Sequence, residues 1–97
     1  MVKILIERRV KRENYGKLIE FLKDLRSVAL RQPGYVTGET LIKGNNPVDV
    51  LVVITWTSED YWKAWLTKQE RIELDDHINS FLEAEPKTSI YQVPEQD

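Results

Sequence analysis

The stretch from Val48 to Trp56 constrains the fold more than any other part of the chain, because the strand that it predicts is apolar on both faces. One face carries Val48, Val50, Val52, Ile54 and Trp56, and the other carries Leu51, Val53 and Thr55. In a small α+β sandwich the helices cover only one face of the sheet, so the second face needs another cover. The simplest cover is the same sheet of a second copy. The pattern therefore predicts a homodimer.

The rest of the chain alternates strand and helix patterns around this strand. Further strands are predicted at Val2–Val10, Tyr35–Lys43 and Thr88–Val93. Apolar residues at helical spacing predict a long helix from about Asn14 to Ala29, a short helix from the Thr57-Ser58-Glu59-Asp60 start to Leu66, and a third helix over Gln69–Ala84. The order is βαββααβ. It predicts a ferredoxin-like α+β fold, with a four-stranded antiparallel sheet and the helices on one face.

Length and composition bound the domain organisation. A chain of 97 residues is long enough for one domain, predicted over 1–97 with an ordered core of about 2–93. Proline ends the last helical pattern at Pro86, and Pro94 to Asp97 reads as a loose tail.

Charge and residue content exclude several classes of function. The net charge is -2, which gives no electrostatic footprint for nucleic acid. The chain has no cysteine, so disulfides, thiolate chemistry and cysteine-bound zinc are excluded. The acids at Glu70, Glu73, Asp75 and Asp76 lack the spacing of a metal site with His77 and are interpreted as a solvated helix face, so no metal is predicted. No glycine-rich phosphate loop, signal peptide or membrane-spanning run is found, and we expect a cytoplasmic protein without a membrane association.

The segment from Ile54 to Leu66 holds all three tryptophans. Spacings of three and four residues bring Tyr61 and Trp62 to the same side of a helix as Trp65. This aromatic wall is either the lid of a core or one side of a ligand pocket, and the spacing alone leaves both interpretations open.

Several of these features together resemble the antibiotic biosynthesis monooxygenase (ABM) domain family. They are Gln32-Pro33-Gly34-Tyr35-Val36, the strand that ends in Trp56, the helix start after it, and Trp65 nine residues after Trp56. The resemblance covers nearly the whole chain. It implies a dimeric α/β barrel, in which two sheets pack face to face and each protomer has a ligand cleft between its sheet and its helices.

The resemblance implies two kinds of enzyme. One is a cofactor-independent oxygenase of aromatic polyketides or hydroquinones, in which the substrate itself supplies electrons to oxygen. The other is a haem-binding or haem-degrading enzyme, in which Trp65 would match the porphyrin-distorting tryptophan and His77 the iron ligand. Two departures weigh against haem: the Trp65-to-His77 interval is a couple of residues longer, and Glu7 stands near the place of a strand-one asparagine. A non-enzymatic dimer that binds a small molecule is a third hypothesis.

Six residues are candidates for the site. We expect Trp65, His77 and Glu7 as catalytic residues, and Trp62, Tyr61 and Arg8 as substrate-binding residues, with a small aromatic substrate and no cofactor as the first hypothesis. Each has a structural alternative. Trp65 would be core, Trp62 a dimer contact, His77 a surface residue paired with an acid, and Glu7 and Arg8 part of a solvated strand end. Tyr15, Tyr35, Tyr61 and Tyr91 are equal candidates to donate a hydrogen bond to a substrate oxygen.

Overall fold

The computed structural model describes residues 1–94, so the last three residues of the predicted tail lie outside the described part. Strands β1 (Val2–Val10), β2 (Tyr35–Lys43), β3 (Val48–Trp56) and β4 (Lys87–Gln92) form one antiparallel sheet in the order β2-β3-β1-β4. The helices are α1 (Tyr15–Ala29), which follows a 3-10 turn, α2 (Glu59–Leu66) and α3 (Gln69–Asn79). The ferredoxin-like α+β prediction is confirmed. None of the helices within residues 1–94 combines the length and the hydropathy of a membrane span.

The pairing of β1 with β3 decides which residues face the helices. Along β1 every second side chain is buried, and each lies opposite an apolar residue of β3: Val2 pairs with Trp56, Ile4 with Ile54, Ile6 with Val52 and Val10 with Val48. Arg8 occupies the remaining position of this row, opposite Val50. A single arginine therefore points from the sheet toward the helices, among side chains that are otherwise apolar.

The core between the sheet and the helices has two parts. The first is built around the tryptophans and includes Val2, Ile4, Ile6, Val28, Ala29, Trp56, Trp62 and Trp65. The second lies toward the other end of the strands and includes Val10, Leu18, Leu22, Val48, Val50 and Ile78. The amphipathic stripe of α1 contributes to both, which fixes this helix along the sheet.

Helix α3 is shorter than its apolar spacing predicts. It ends at Asn79 instead of Ala84. The backbone N–H of Glu83 donates to the carbonyl of Arg9 at 2.8 Å, so the chain has already left the helix and turned to the end of β1. Phe81 and Leu82 still pack against the second core cluster. Their burial explains why the helical pattern continues in the sequence after the helix has ended.

The face of the sheet away from the helices, hereafter the open face, carries the second apolar row. Leu5 pairs with Val53, and Leu41 pairs with Leu51. The Leu41 side chain is 49% exposed. Next to this row Arg9 donates to Asp49 through Nε at 2.7 Å, and this hydrogen bond lowers the pKa of the Asp49 carboxyl.

The turn before β2 depends on Gly34. Its φ is +85°, a conformation that L side chains rarely adopt. A Cβ at Gly34 would also lie 2.6 Å from the Cβ of Tyr61, and closer still to the ring. The Gly34 carbonyl accepts the N–H of Thr57 at 2.8 Å, which joins the turn to the start of α2.

We expect Gly34→Ala to lower the free energy of unfolding by about 1 to 3 kcal/mol, because it combines backbone strain with a clash against Tyr61. Gly16→Ala is the matched control. Gly16 lies in α1, and a Cβ there would meet no atom within 4 Å, so this change should be neutral or raise the free energy by about 0.5 kcal/mol. Urea denaturation followed by circular dichroism measures both. Equal stability of the two variants would contradict the role assigned to Gly34.

Candidate active site

A cavity of about 370 Å³ lies between the sheet and the helices. Its apolar wall draws on both core clusters and includes Ile6, Leu22, Ala29, Val52, Trp62 and Trp65. Pockets for small organic ligands have volumes of roughly 300 to 1,000 Å³ and mostly apolar walls with a few polar groups. Both the size and the lining fit a ligand pocket.

Trp62 and Trp65 form the aromatic part of this wall. They lie three residues apart on α2, so both point inward, and they are only 4% and 3% exposed. Their rings flank Trp56, with centroids at 6.5 and 6.1 Å. The two tryptophans therefore hold α2 on the end of β3 and also line the cavity. The sequence leaves core and pocket wall as alternatives for these tryptophans. In the structure they belong to both.

Among the described residues that line the cavity, Tyr35 is the one tyrosine, although the sequence makes four tyrosines equal candidates. Its ring meets Trp56 edge to face at 5.6 Å. Its hydroxyl lies over Gly38 of β2, where an added Cβ would come within 2.8 Å of the oxygen. Gly38 thus leaves the space in which the hydroxyl sits. No pattern in the sequence links these two residues, because the contact depends on the bulge between Tyr35 and Thr37.

Arg8 brings a buried charge to the same cavity. Its side chain is 3% exposed, and Nη2 lies 3.4 Å from Oδ1 of Asp75. The other carboxylate oxygen of Asp75 accepts from Arg71 Nη2 at 2.6 Å. Nε and Nη1 of Arg8 are buried and have no hydrogen-bond partner among the described residues. Burial lowers the pKa of Arg8, and Asp75 only partly offsets this effect.

These contacts change the sequence-based interpretation of two segments. Arg8 is not part of a solvated strand end, because it belongs to the inward row of β1. Asp75 is not on a solvated face, because it is ion-paired to two arginines and its side chain is 18% exposed. Arg71 is a residue of the site that the sequence analysis misses. Its four-residue spacing from Asp75 on one helix was the available signal.

The structure does not bring the other three candidates to the cavity. Glu7 follows Ile6 on β1 and therefore points to the open face, opposite Leu51. His77 lies two positions after Asp75 on α3, so its side chain points to a different side of the helix. Its exposed ring stacks on Phe21, with the ring centroids 5.6 Å apart. Tyr61 packs on the Gly34 turn and is 43% exposed.

The positions of these residues also show whether the cavity fits a metal ion or a haem. Within residues 1–94, no cluster of three histidine, aspartate or glutamate side chains could hold a metal ion. His77, the candidate iron ligand, does not line the cavity. The residues present therefore do not fit a haem bound in this cavity through His77.

Comparison with solved structures gives close matches in fold. A conserved protein from Methanosarcina mazei Go1 has a TM-score of 0.86 at 18% identity, over 94% of this chain and 90% of that one. A crystal structure of an antibiotic biosynthesis monooxygenase has a TM-score of 0.86 at 12% identity, over 98% and 100%. SnoaB, a cofactor-independent oxygenase from Streptomyces nogalater, has a TM-score of 0.74 at 13% identity, over 98% and 95%. At such low identities these likenesses show a common fold.

Comparison by sequence gives the family. No curated protein matches the chain. The family model described as antibiotic biosynthesis monooxygenase matches residues 1–73, which include the tryptophan segment, Arg8, Tyr35 and Arg71. The resemblance noted from the sequence is thereby confirmed. Since the match covers most of its 97 residues, the chain belongs to the antibiotic biosynthesis monooxygenase family.

Proposed function

We propose that this chain is a small monooxygenase that oxidises an electron-rich aromatic compound, such as a hydroquinone or a polyketide phenol, without a cofactor. The observation that carries the proposal is an apolar cavity of about 370 Å³ walled by Trp62 and Trp65, in a chain that belongs to this family. SnoaB, which shares the fold, is named as a cofactor-independent oxygenase. That name supports the absence of a cofactor here.

The chain's own residues would bind, orient and ionise the substrate. The two indole rings would stack on the aromatic ring and exclude water from it. Tyr35 lines the cavity, and its hydroxyl would donate a hydrogen bond to a substrate oxygen. Arg8 places a positive charge in the wall, which favours the substrate anion over its neutral form. An electron-rich anion is the form that gives up electrons to oxygen most readily.

The reaction balances with oxygen as the only co-substrate. For an anthrone, a base removes a proton from the ring methylene, the carbanion transfers its electrons to oxygen and forms a carbon–oxygen bond, and the peroxide anion then takes the proton back. The resulting hydroperoxide then loses water, so that one oxygen atom remains as the new carbonyl and the other leaves in the water. The substrate is oxidised and oxygen is reduced. No electron carrier is needed.

We expect oxygen uptake above the buffer rate with at least one member of a panel of anthrones and hydroquinones. Trp65→Leu should lower kcat/KM about tenfold or more, since it removes the ring that stacks on the substrate. Lys63→Ala is the control, because Lys63 is exposed on the same helix and does not line the cavity. An oxygen electrode measures the rates, and circular dichroism verifies that both variants are folded. Absence of oxygen uptake above the buffer rate with every compound would contradict the proposal.

The haem alternative has its own test. A haemin titration followed by visible absorption should give the same spectra for the wild type and for His77→Ala, because His77 stacks on Phe21 away from the cavity. A saturable Soret shift that disappears in His77→Ala would contradict this expectation and favour haem binding.

We also propose that the chain forms a homodimer through the open face. The support is the apolar row of Leu5, Leu41, Leu51 and Val53, which lies on the side of the sheet away from the helices. Two such rows packed face to face would remove their apolar surface from water. The charged pair Arg9 and Asp49 beside the row would remain at the rim of that contact.

We expect sedimentation equilibrium at micromolar concentration to give twice the mass of the 11.4 kDa chain. Leu41→Glu should shift the distribution to monomer, because it buries a charge in the contact. Leu30→Glu is the matched control. Leu30 is 57% exposed at the end of α1 and lies on no strand, so this variant should stay dimeric. A monomeric wild type, or dissociation of both variants alike, would contradict the proposed interface.

A further inference from the structure

Three arginines from three different elements meet at the cavity. Arg8 comes from β1, Arg26 from α1 and Arg71 from α3. Among the described lining residues the acids are Asp75 and Glu39, and Glu39 pairs with Val53, so its side chain points to the open face. Three arginines therefore line the cavity with one inward-facing carboxylate, that of Asp75. The whole chain has a net charge of -2. The cavity is therefore positive within an acidic protein.

Asp75 does not compensate both arginines that it contacts. It lies 2.6 Å from Arg71 and 3.4 Å from Arg8, so its stronger hydrogen bond goes to Arg71. Arg8 keeps two buried nitrogens without a partner among the described residues. A buried guanidinium in an apolar wall is costly unless a counter-charge lies close to it. Among the described residues, Arg8 and Arg71 thus share one carboxylate, that of Asp75, and this side of the cavity keeps an excess of positive charge.

The three arginines differ in what a ligand can reach. Arg26 is exposed, and the Arg71 side chain is 21% exposed, so both can contact a group in the cavity. Nε and Nη1 of Arg8 have almost no accessible surface. Arg8 would act on a ligand through its field, which an apolar wall screens only weakly, and through its contact with Asp75. It is a positioning residue in this arrangement.

We propose that the substrate is an aromatic compound that carries a carboxylate. The ring lies against Trp62 and Trp65, and the carboxylate faces Arg71 and Arg26, with Arg8 behind Asp75. The excess of arginines over inward-facing acids favours an anionic group, and a carboxylate can accept two parallel N–H groups of one guanidinium. This inference rests on the proposed function, since it names the chemical class of substrate for the same cavity.

A pair of probes of equal shape tests the inference by calorimetric titration. Naphthoate and naphthylmethanol, substituted at the same ring position, differ in charge at about pH 7, where an aromatic carboxylic acid is ionised. We expect the wild type to bind naphthoate about tenfold or more tightly than the alcohol, because charge-assisted hydrogen bonds are roughly twice as strong as neutral ones. Equal affinities, or no heat of binding with either probe, would overturn the proposal.

Two variants test whether these arginines cause the preference for naphthoate over naphthylmethanol. Arg71→Gln should reduce the ratio of the two affinities to about threefold or less, and Arg8→Met should reduce it as well. A merely structural defect would weaken both probes alike and leave the ratio unchanged. Arg31→Gln is the matched control, because Arg31 is exposed, lies 3.9 Å from Glu70 and does not line the cavity. Since Arg8 is buried, failure of Arg8→Met to fold leaves the decision to Arg71→Gln. An unchanged ratio in Arg71→Gln would overturn the proposal.

The binding experiment is independent of oxygen chemistry. A carboxylate preference without oxygen uptake on any aromatic compound would contradict the proposed monooxygenase and leave this inference standing. Uptake with neutral hydroquinones, together with equal binding of the two probes, would contradict this inference and leave the monooxygenase standing.

Discussion

Burial of Trp56 is the interaction on which the rest of the structure depends. This residue ends the central strand β3, is fully buried, and has Tyr35, Trp62 and Trp65 around it. Large aromatic side chains bury more apolar surface than any others, and their mutual packing adds a preferred geometry. Through these contacts a single side chain joins the end of β3, the start of β2 and helix α2. The position of α2 in turn decides where one wall of the cavity lies.

The cavity lies beside a break in an otherwise apolar row. Along the inward face of β1, Arg8 replaces the hydrophobic residue that the alternation leads one to expect, and Asp75 of α3 approaches it. The Arg8 guanidinium is buried in this row with two nitrogens that have no hydrogen-bond partner among the described residues, which is costly in an apolar wall. Tyr35 and Gly38 leave further space beside them. The polar groups of the site are thus held in place by the same core that they interrupt.

Much of the fold could be predicted because local patterns and long-range pairing agree. The alternation in β1, the helical stripe of α1 and the proline-glycine break near Gly34 each specify one element, and the ferredoxin-like order follows from them. The prediction was wrong at the end of α3. There Phe81 and Leu82 continue the helical spacing, but the helix has already ended, and the backbone N–H of Glu83 donates to the carbonyl of Arg9 at the end of β1. That competing partner is remote in sequence, so no local pattern reveals it.

The sequence by itself determined the elements, their ferredoxin-like order and the family, and it placed Trp62 and Trp65 on one side of a helix, because these follow from patterns along single elements and from the order of those elements. Only the tertiary structure decided which polar residues meet. It brought Arg8, Arg71 and Asp75 together from a strand and a helix, and it left His77 and Glu7 on other surfaces. The physical reason is that one residue along a strand, or two along a helix, turns a side chain to the opposite side. A site assembled across elements therefore depends on register and helix rotation, and packing sets both.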